Sequence, residues 1–408
     1  MGQSGRRRNF CNHWNDYGST QCQGMKIKCH PDDFCVEEIV RMKIKNRGRY
    51  SIYRLEKRFW NTLDVIRDIQ VRYQLNGLSR AGLKDRYSFS IQYLSLPGNG
   101  PEQITSSNYR LIRIGMADEP VTPERLMANR FQITVRCLNA DEVKTIEQSL
   151  PAVECYGVAN YYDEQRFGSA RHHAGFIARK LIDGHYNGAL KLFLATPSAS
   201  DDSRTRKVKQ ELALNWGNWQ KCLEIVPFEG KKAVKHLLQR PRDFEGAIKL
   251  LPKTLLELFI NAYQSWLWNE VLRLLLEEMG VVRFRVRYNL GVMAFFGNLS
   301  TQDAKYLGQL SIPTPGPHAE YESERVERIV NSVLEKEGLE LKMLKLKFRI
   351  KGLYFKSWKR PAVFKPDKLK IDQPQTDELY PDKYKIRLAF DLPPGCFATV
   401  LLKRLVAR

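Results

Sequence analysis

The feature that most restricts the fold of this chain is a hydrophobic period that changes twice. In the first 160 residues, apolar and polar side chains alternate as they do in strands, whereas residues 170–280 have the spacing of helices. Alternation returns near the end. The predicted strands cover residues 34–39, 50–55, 88–96, 129–137, 345–351 and 384–390, with a shorter one at 25–28. Helical sequence between two blocks of strands predicts an α+β protein in which one domain interrupts another.

Helix boundaries support the same division. Asn61 and Asn139 precede helical spacing and are good N-caps, and Gly280 ends a long apolar helix. The sequence predicts an extension at 1–24, a discontinuous domain of 25–160 plus 341–408, and an inserted domain of 161–340. The longer predicted helices are 174–183, 188–194, 204–216, 255–279 and 321–337.

The composition indicates which class of molecule the protein binds. The chain has 66 Lys and Arg against 45 Asp and Glu, a formal charge of +21, and 43% hydrophobic residues. A globular protein with this excess predicts a polyanionic partner, most commonly nucleic acid. An anionic membrane surface is the alternative, but no stretch reaches the roughly 18 apolar residues that a spanning helix needs. No apolar segment follows the N-terminal arginines, so we expect a cytoplasmic protein.

The eight cysteines do not indicate a disulfide framework. Four of them lie near the start beside two histidines, which raises the possibility of zinc. The group lacks the C-x-x-C spacing of structural zinc sites, so free thiols and no metal are the prediction. The residues concerned are Cys11, Cys22, Cys29, Cys35, His13 and His30.

A basic and aromatic tail is the clearest local indication of RNA. Residues 341–370 contain eleven Lys and Arg and a single acid, with aromatic residues between them. Cations neutralise phosphates and aromatic rings stack on unpaired bases. The alternative is a strand with one solvated basic face. The candidate RNA contacts are Lys347, Arg349, Lys351, Lys359 and Arg360.

One carboxylate is a candidate nucleophile. Asp85 lies in the segment Ala-Gly-Leu-Lys-Asp-Arg between Lys84 and Arg86, seven residues before Gln92. Nearby cations favour the ionised form of a carboxyl group, although a solvated surface turn would look the same. The sequence has no phosphate-binding loop, HExxH, GxSxG or GxGxxG motif. An enzyme of this kind would rely on side-chain chemistry without a cofactor, as base isomerisation in RNA does.

Together these motifs resemble the TruD-type tRNA pseudouridine synthases from about residue 25 to residue 404. Six pieces occur in the order that the family has. They are residues 28–38, Lys57 with Asn61-Thr62, residues 81–86 with Gln92, Asn129-Arg130-Phe131, residues 160–168 with 263–269, and residues 394–399.

The resemblance implies a mixed, mainly antiparallel sheet with flanking helices, split by a mostly helical insertion. It implies that Asp85 is the nucleophile, that Phe131 stacks on a flipped uridine, that Asn129 hydrogen-bonds to it, and that Lys28 is a cation near Asp85. The substrate would be tRNA, at uridine 13 near the D stem. A monomer is the default expectation and does not follow from the resemblance. Whether Asp85 attacks the sugar or the base stays open. The alternatives are a non-catalytic RNA-binding or RNA-folding protein and an RNA methyltransferase.

Overall fold

The computed structural model describes residues 25–170, 174–198 and 201–408. The extension at 1–24, with Cys11, His13 and Cys22, lies outside these residues. The strands, in chain order, are β1 Phe34–Val40, β2 Tyr50–Lys57, β3 Ser79–Arg80, β4 Phe89–Pro97, β5 Gln103–Thr105, β6 Tyr109–Ala117, β7 Leu126–Leu138, β8 Val158–Ala159, β9 Val282–Tyr288, β10 Gly291–Phe296, β11 Ser311–Pro313, β12 Lys359–Pro361, β13 Val363–Phe364, β14 Asp367–Ile371, β15 Gln375–Thr376 and β16 Tyr384–Leu392. The α-helices are α1 Thr62–Tyr73, α2 Ala140–Tyr156, α3 Ile177–Asp183, α4 Tyr186–Leu194, α5 Ser203–Leu214, α6 Trp219–Ile225, α7 Phe228–Gln239, α8 Phe244–Lys249, α9 Lys253–Glu278, α10 Thr301–Gln309, α11 Glu324–Lys336 and α12 Ala398–Leu405.

The chain forms two compact units. The first consists of the described residues up to Val158 together with Phe364–Arg408, and the second is Ala159–Val363. The chain therefore returns to the first unit at Phe364, later than the predicted residue 341. The reason is that residues 341–363 pack within the second unit, where β12 pairs with β11.

A ten-stranded sheet forms the first unit. Its strand order is β14-β16-β7-β1-β4-β2-β6-β5, with β15 beside β16 and β3 beside β4. β1 and β4 are parallel, while the other pairs are antiparallel. This is the mixed, mainly antiparallel sheet that was predicted.

Helix α1 covers one face of this sheet. It begins after Asn61, whose side chain accepts a hydrogen bond from the backbone N–H of Asp64, as an N-cap does. Its apolar residues Val65, Ile66 and Ile69 pack on Tyr53 and Leu55 of β2 and on neighbours from β4 and β6. At the other end of the unit α2 begins with a capping box between Asn139 and Glu142 and packs against α12.

The second unit is mostly helical around a buried central helix. From Phe259 to Leu276 no residue of α9 is exposed, which explains why this part of its sequence is apolar without a polar face. Its buried polar residues are largely hydrogen-bonded: the Asn269 amide exchanges two hydrogen bonds of 2.9 Å with the backbone of Tyr162, although Gln264 Oε1 has no partner among the described residues. No helix within the described residues is long and apolar enough to cross a membrane.

Two predicted strands are wrong. Residues 345–351 alternate in sequence, and alternate side chains such as Leu344 and Phe348 are buried, but within the described residues no strand pairs with this segment, and its backbone forms bends and turns instead. Backbone bonds such as Leu353 N–H to the Ile350 carbonyl close the turns instead. Near the start, residues 25–28 contribute only one isolated bridge, between Lys26 and Arg136.

Candidate active site

Strand register gathers the site on one face of the first unit's sheet. Glu38 lies opposite Asn129 and Val36 lies opposite Phe131, while Phe131 also pairs with Phe390 of β16. Side chains two residues apart point to the same face of a strand. Asn129 and Phe131 therefore share a face with each other and with their partners on the neighbouring strands.

Asp85 lies on the loop between β3 and β4, next to this face. Its side chain is 52% exposed, and its carboxylate is 3.5 Å from the Lys28 ammonium. Beneath the loop, the Lys57 ammonium donates to the Asp85 carbonyl at 2.7 Å, to the Trp60 carbonyl at 2.8 Å and to Ser90 Oγ at 3.1 Å. The backbone of the candidate nucleophile is thus fixed while its carboxylate stays accessible.

Lys57 is a charged residue at a position where a strand usually buries an apolar side chain. It follows Tyr53 and Leu55 on the core-facing side of β2 and is itself buried. Burial lowers the pKa of Lys57 to about 8, although the nearby charge of Asp85 raises it, and Lys84 and Lys28 lower it further.

A buried ion pair anchors the same loop from the other side. The Lys84 ammonium is 2.7 Å from Glu38 Oε1, and both side chains are buried. Gln92 donates to Glu38 and to the Gly82 carbonyl, at 3.2 and 3.0 Å. The loop lies so close that a Cβ on Gly82 would be 2.7 Å from Glu38 Oε1, which explains the glycine.

The two flanking cations each have a partner other than the Asp85 carboxylate. Lys84 turns inward to Glu38, and Arg86 donates through Nε to the Phe59 carbonyl at 2.8 Å. Lys28, which comes from a distant part of the sequence, is a cation that lies beside the Asp85 carboxylate.

Lys28 links Asp85 to an aromatic cluster. Its ammonium lies 4.3 Å from the centre of the Phe34 ring. Phe34 meets Phe131 edge-on with centroids 5.9 Å apart, and Phe131 packs on Phe390 at 5.5 Å. Nearby on β7, the side-chain oxygen of Asn129 is buried and has no hydrogen-bond partner among the described residues. A buried acceptor left without a partner costs free energy, which is typical of a binding site.

All five predicted RNA contacts in the tail lie within the second unit, and they differ in exposure. Arg349 and Lys351 are exposed, whereas Lys347 donates to the Asp183 carbonyl at 2.8 Å and Lys359 pairs with Glu322. Arg360 is buried: it lies 4.0 Å from the Tyr162 ring and donates to the Asn160 carbonyl at 2.9 Å. Its guanidinium therefore stabilises the fold and does not reach RNA.

The aromatic residues of the tail show the same division. Phe348 and Phe355 are in the core of the second unit and Phe364 is buried too, while Tyr354 is 59% exposed. Within the described residues, no three His, Cys, Asp or Glu side chains converge as metal ligands would.

Sequence reasoning missed the roles of Glu38 and Lys57. Both had a signal, because each is a charged residue where the alternation of its strand calls for a buried apolar one. What the sequence could not give was the partner of each charge, since Glu38 meets Lys84 and Lys57 meets the Asp85 backbone through tertiary contacts.

Comparison with known proteins places these residues in a family. The model of the family described as tRNA pseudouridine synthase D (TruD) matches residues 16–287 and 298–405. This chain belongs to that family. The predicted family and the predicted class of enzyme, an isomerase that makes pseudouridine in RNA, are confirmed.

Individual TruD proteins match over nearly their whole length. Probable tRNA pseudouridine synthase D 1 of Methanococcus maripaludis is 33% identical over 394 residues, covering 93% of this chain and 99% of that protein. The tRNA pseudouridine synthase D of Aquifex aeolicus is 31% identical, with coverage of 93% and 98%. A crystal structure of the TruD protein from Methanosarcina mazei superposes with a TM-score of 0.69 at 25% identity, covering 96% of this chain and 95% of that one. The predicted fold class is confirmed.

Proposed function

We propose that this protein converts a uridine of tRNA to pseudouridine with Asp85 as the nucleophile. The observation that carries the proposal is the Asp85 carboxylate, which is 52% exposed yet 3.5 Å from the Lys28 ammonium. The carboxylate thus faces a cation and remains open to a substrate, and carboxylates act as nucleophiles in covalent catalysis. The first unit would be the catalytic domain, which the second unit interrupts.

The target uridine must leave its stack before the carboxylate can reach it. Its uracil would stack on Phe131, whose ring contacts Phe34 and Phe390, and its N3–H would donate to the unpartnered side-chain oxygen of Asn129. In the reaction the bond between N1 and C1′ breaks, uracil turns, and C5 bonds to C1′ while the C5 proton leaves and N1 gains one. Atoms and electrons balance, so no oxidant, reductant or cofactor is required.

The finer assignments belong to the same proposal. By family resemblance the target is uridine 13, near the D stem of tRNA. The protein would act as a monomer in the cytoplasm. A tRNA substrate and reduced thiols are both consistent with that compartment.

The decisive experiment replaces Asp85 by Asn, which keeps the size of the side chain and removes the anion. We expect pseudouridine formation in tRNA transcripts to fall at least about 1,000-fold, because no nucleophile remains. Asp118→Asn is the matched control, since the Asp118 side chain is 53% exposed and pairs with Lys45.

RNA affinity and melting temperature are measured alongside. The proposal requires that Asp85→Asn still binds tRNA and unfolds near the wild-type temperature. Wild-type turnover in Asp85→Asn would refute the assignment of the nucleophile. Binding without turnover in the wild-type protein would favour the non-catalytic RNA-binding alternative.

A further inference from the structure

A second recess opens beside Asp85. Helix α1 and the loop from Leu83 to Arg86 enclose a cleft of about 670 Å³. Asp85 lines it, but Lys28, Phe34, Asn129 and Phe131 do not. The cleft is therefore distinct from the face proposed to hold the target uracil, and the two share the reactive carboxylate.

Most of the residues that line the cleft are polar or charged, but two of them are large apolar side chains that the fold does not bury. Leu63 is 51% exposed on α1 and Leu83 is 57% exposed on the loop. Large apolar residues with this exposure line a recess at the reactive group, where they offer a surface to the flat face of a base.

Polar side chains stand on the same face of the helix. Leu63, Arg67 and Gln70 are four and then three residues apart, so they lie in one row along α1. Neither Arg67 nor Gln70 has a hydrogen-bond or ion-pair partner among the described residues, although both line the cleft. An arginine suits a phosphate, and a glutamine amide can pair with the edge of a base.

We propose that this cleft binds the nucleotide next to the target uridine and thereby selects the RNA sequence around it. The inference rests on the proposed function, because the uridine must be at Asp85 for its neighbour to reach the cleft. Leu63 and Leu83 hold the base between them, Gln70 contacts its edge, and Arg67 contacts the phosphate. The volume is in the range of pockets that hold small ligands.

The test uses transcripts of the tRNA that the wild-type protein modifies, with each neighbour of the modified uridine changed to A, C, G and U. We expect wild-type kcat/KM to differ about 10-fold among bases at one of the two positions, as a good base contact or stacking contact gives. Leu83→Ala combined with Gln70→Ala should reduce that preference below about 3-fold. Arg67→Ala should raise KM for all transcripts and lower the salt dependence of binding.

Val71→Ala and Arg72→Ala are the controls, because both residues are exposed on α1 and neither lines the cleft. Affinities of the same transcripts for Asp85→Asn, with and without the cleft substitutions, give a readout that does not need turnover. The inference is overturned if the base preference persists in the cleft variants as it does in the control variants. It is also overturned if the wild-type protein shows no base preference. A sequence preference in binding that depends on the cleft, with no pseudouridine formed, would instead overturn the proposed function alone.

Discussion

At the scale of single residues, Lys57 is a charged group that the first unit buries beside the candidate active site, although its burial costs free energy. A buried ammonium loses hydration, and only hydrogen bonds or charges can offset that loss. Here two backbone carbonyls and Ser90 Oγ accept all three of its hydrogens. Since one of the acceptors is the carbonyl of Asp85, the charge of Lys57 fixes the position of the nucleophile.

The ionisation of Lys57 should therefore contribute to the pH dependence of activity. Its pKa is lowered to about 8, and a neutral amine has only two hydrogens for three acceptors. We expect kcat/KM to decline above about pH 8 as Lys57 loses its proton. Lys57→Met should lower kcat/KM roughly 10- to 100-fold, as small misplacements of reacting groups do, and should remove this decline. The measurement is a pH profile of single-turnover pseudouridine formation for both proteins.

Stability should change in the opposite direction over the same range. The folded-state pKa of about 8 is below the usual 10.5, so the unfolded chain holds the proton more tightly. The contribution of Lys57 to the free energy of unfolding then rises with pH between about 8 and 10.5. Activity that falls while stability rises separates this mechanism from simple alkaline unfolding. Identical pH profiles for the wild-type protein and Lys57→Met would contradict it.

At the scale of elements, the loop that carries Asp85 is anchored by β1, a strand that is distant from it in the sequence. Glu38 on β1 binds Lys84 of the loop, Gln92 Nε2 and the backbone N–H of Tyr93. Burying such a pair is costly, and breaking it by removing one partner is costlier still, because the other charge stays buried. The ion pair thus makes the loop conformation and the fold mutually dependent.

Substitutions at this pair should separate stability from activity. Glu38→Gln should lower the free energy of unfolding by about 3 kcal/mol, since the Lys84 ammonium loses its counter-ion. The double variant Glu38→Leu/Lys84→Met should recover at least half of that loss, because it leaves no buried charge. Its activity should stay low, because the loop has lost its anchor. Denaturant unfolding and single-turnover rates provide the two measurements. Full activity in the double variant would show that the pair is not needed to position Asp85.

The elements show which structure can be predicted from this sequence. Alternation located β1, β2, β4, β7 and β16, and Asn61 located α1, because these signals lie within a few neighbouring residues. Residues 345–351 alternate as clearly, and their burial alternates too, but no strand among the described residues lies beside them to complete the hydrogen-bonded ladder. In the sequence Arg360 cannot be distinguished from the other cations of the tail, but in the structure it packs against Tyr162 and donates to Asn160. Tertiary packing decided both cases, and a single sequence does not encode it locally.

At the scale of the whole molecule, the excess of positive charge should govern how the protein meets RNA. A formal charge of +21 attracts any polyanion at long range, and this attraction weakens as salt screens it. Direct contacts add a separate effect, because each phosphate that a cation neutralises releases counter-ions. The two contributions can be separated by reversing the same number of charges at different places.

Arg349 and Lys351 are the tail cations best placed for direct contact, since both are exposed. We expect Arg349→Glu/Lys351→Glu to weaken tRNA binding and to lower the slope of log K against log salt by about 2, one unit for each lost contact. Lys305→Glu/Lys336→Glu is the matched control, because both lysines are exposed helix residues of the same unit and the net charge changes equally. Binding measured from low to moderate salt distinguishes the two variants. If their slopes fall by the same amount, the tail acts only through overall charge and the contact surface lies elsewhere.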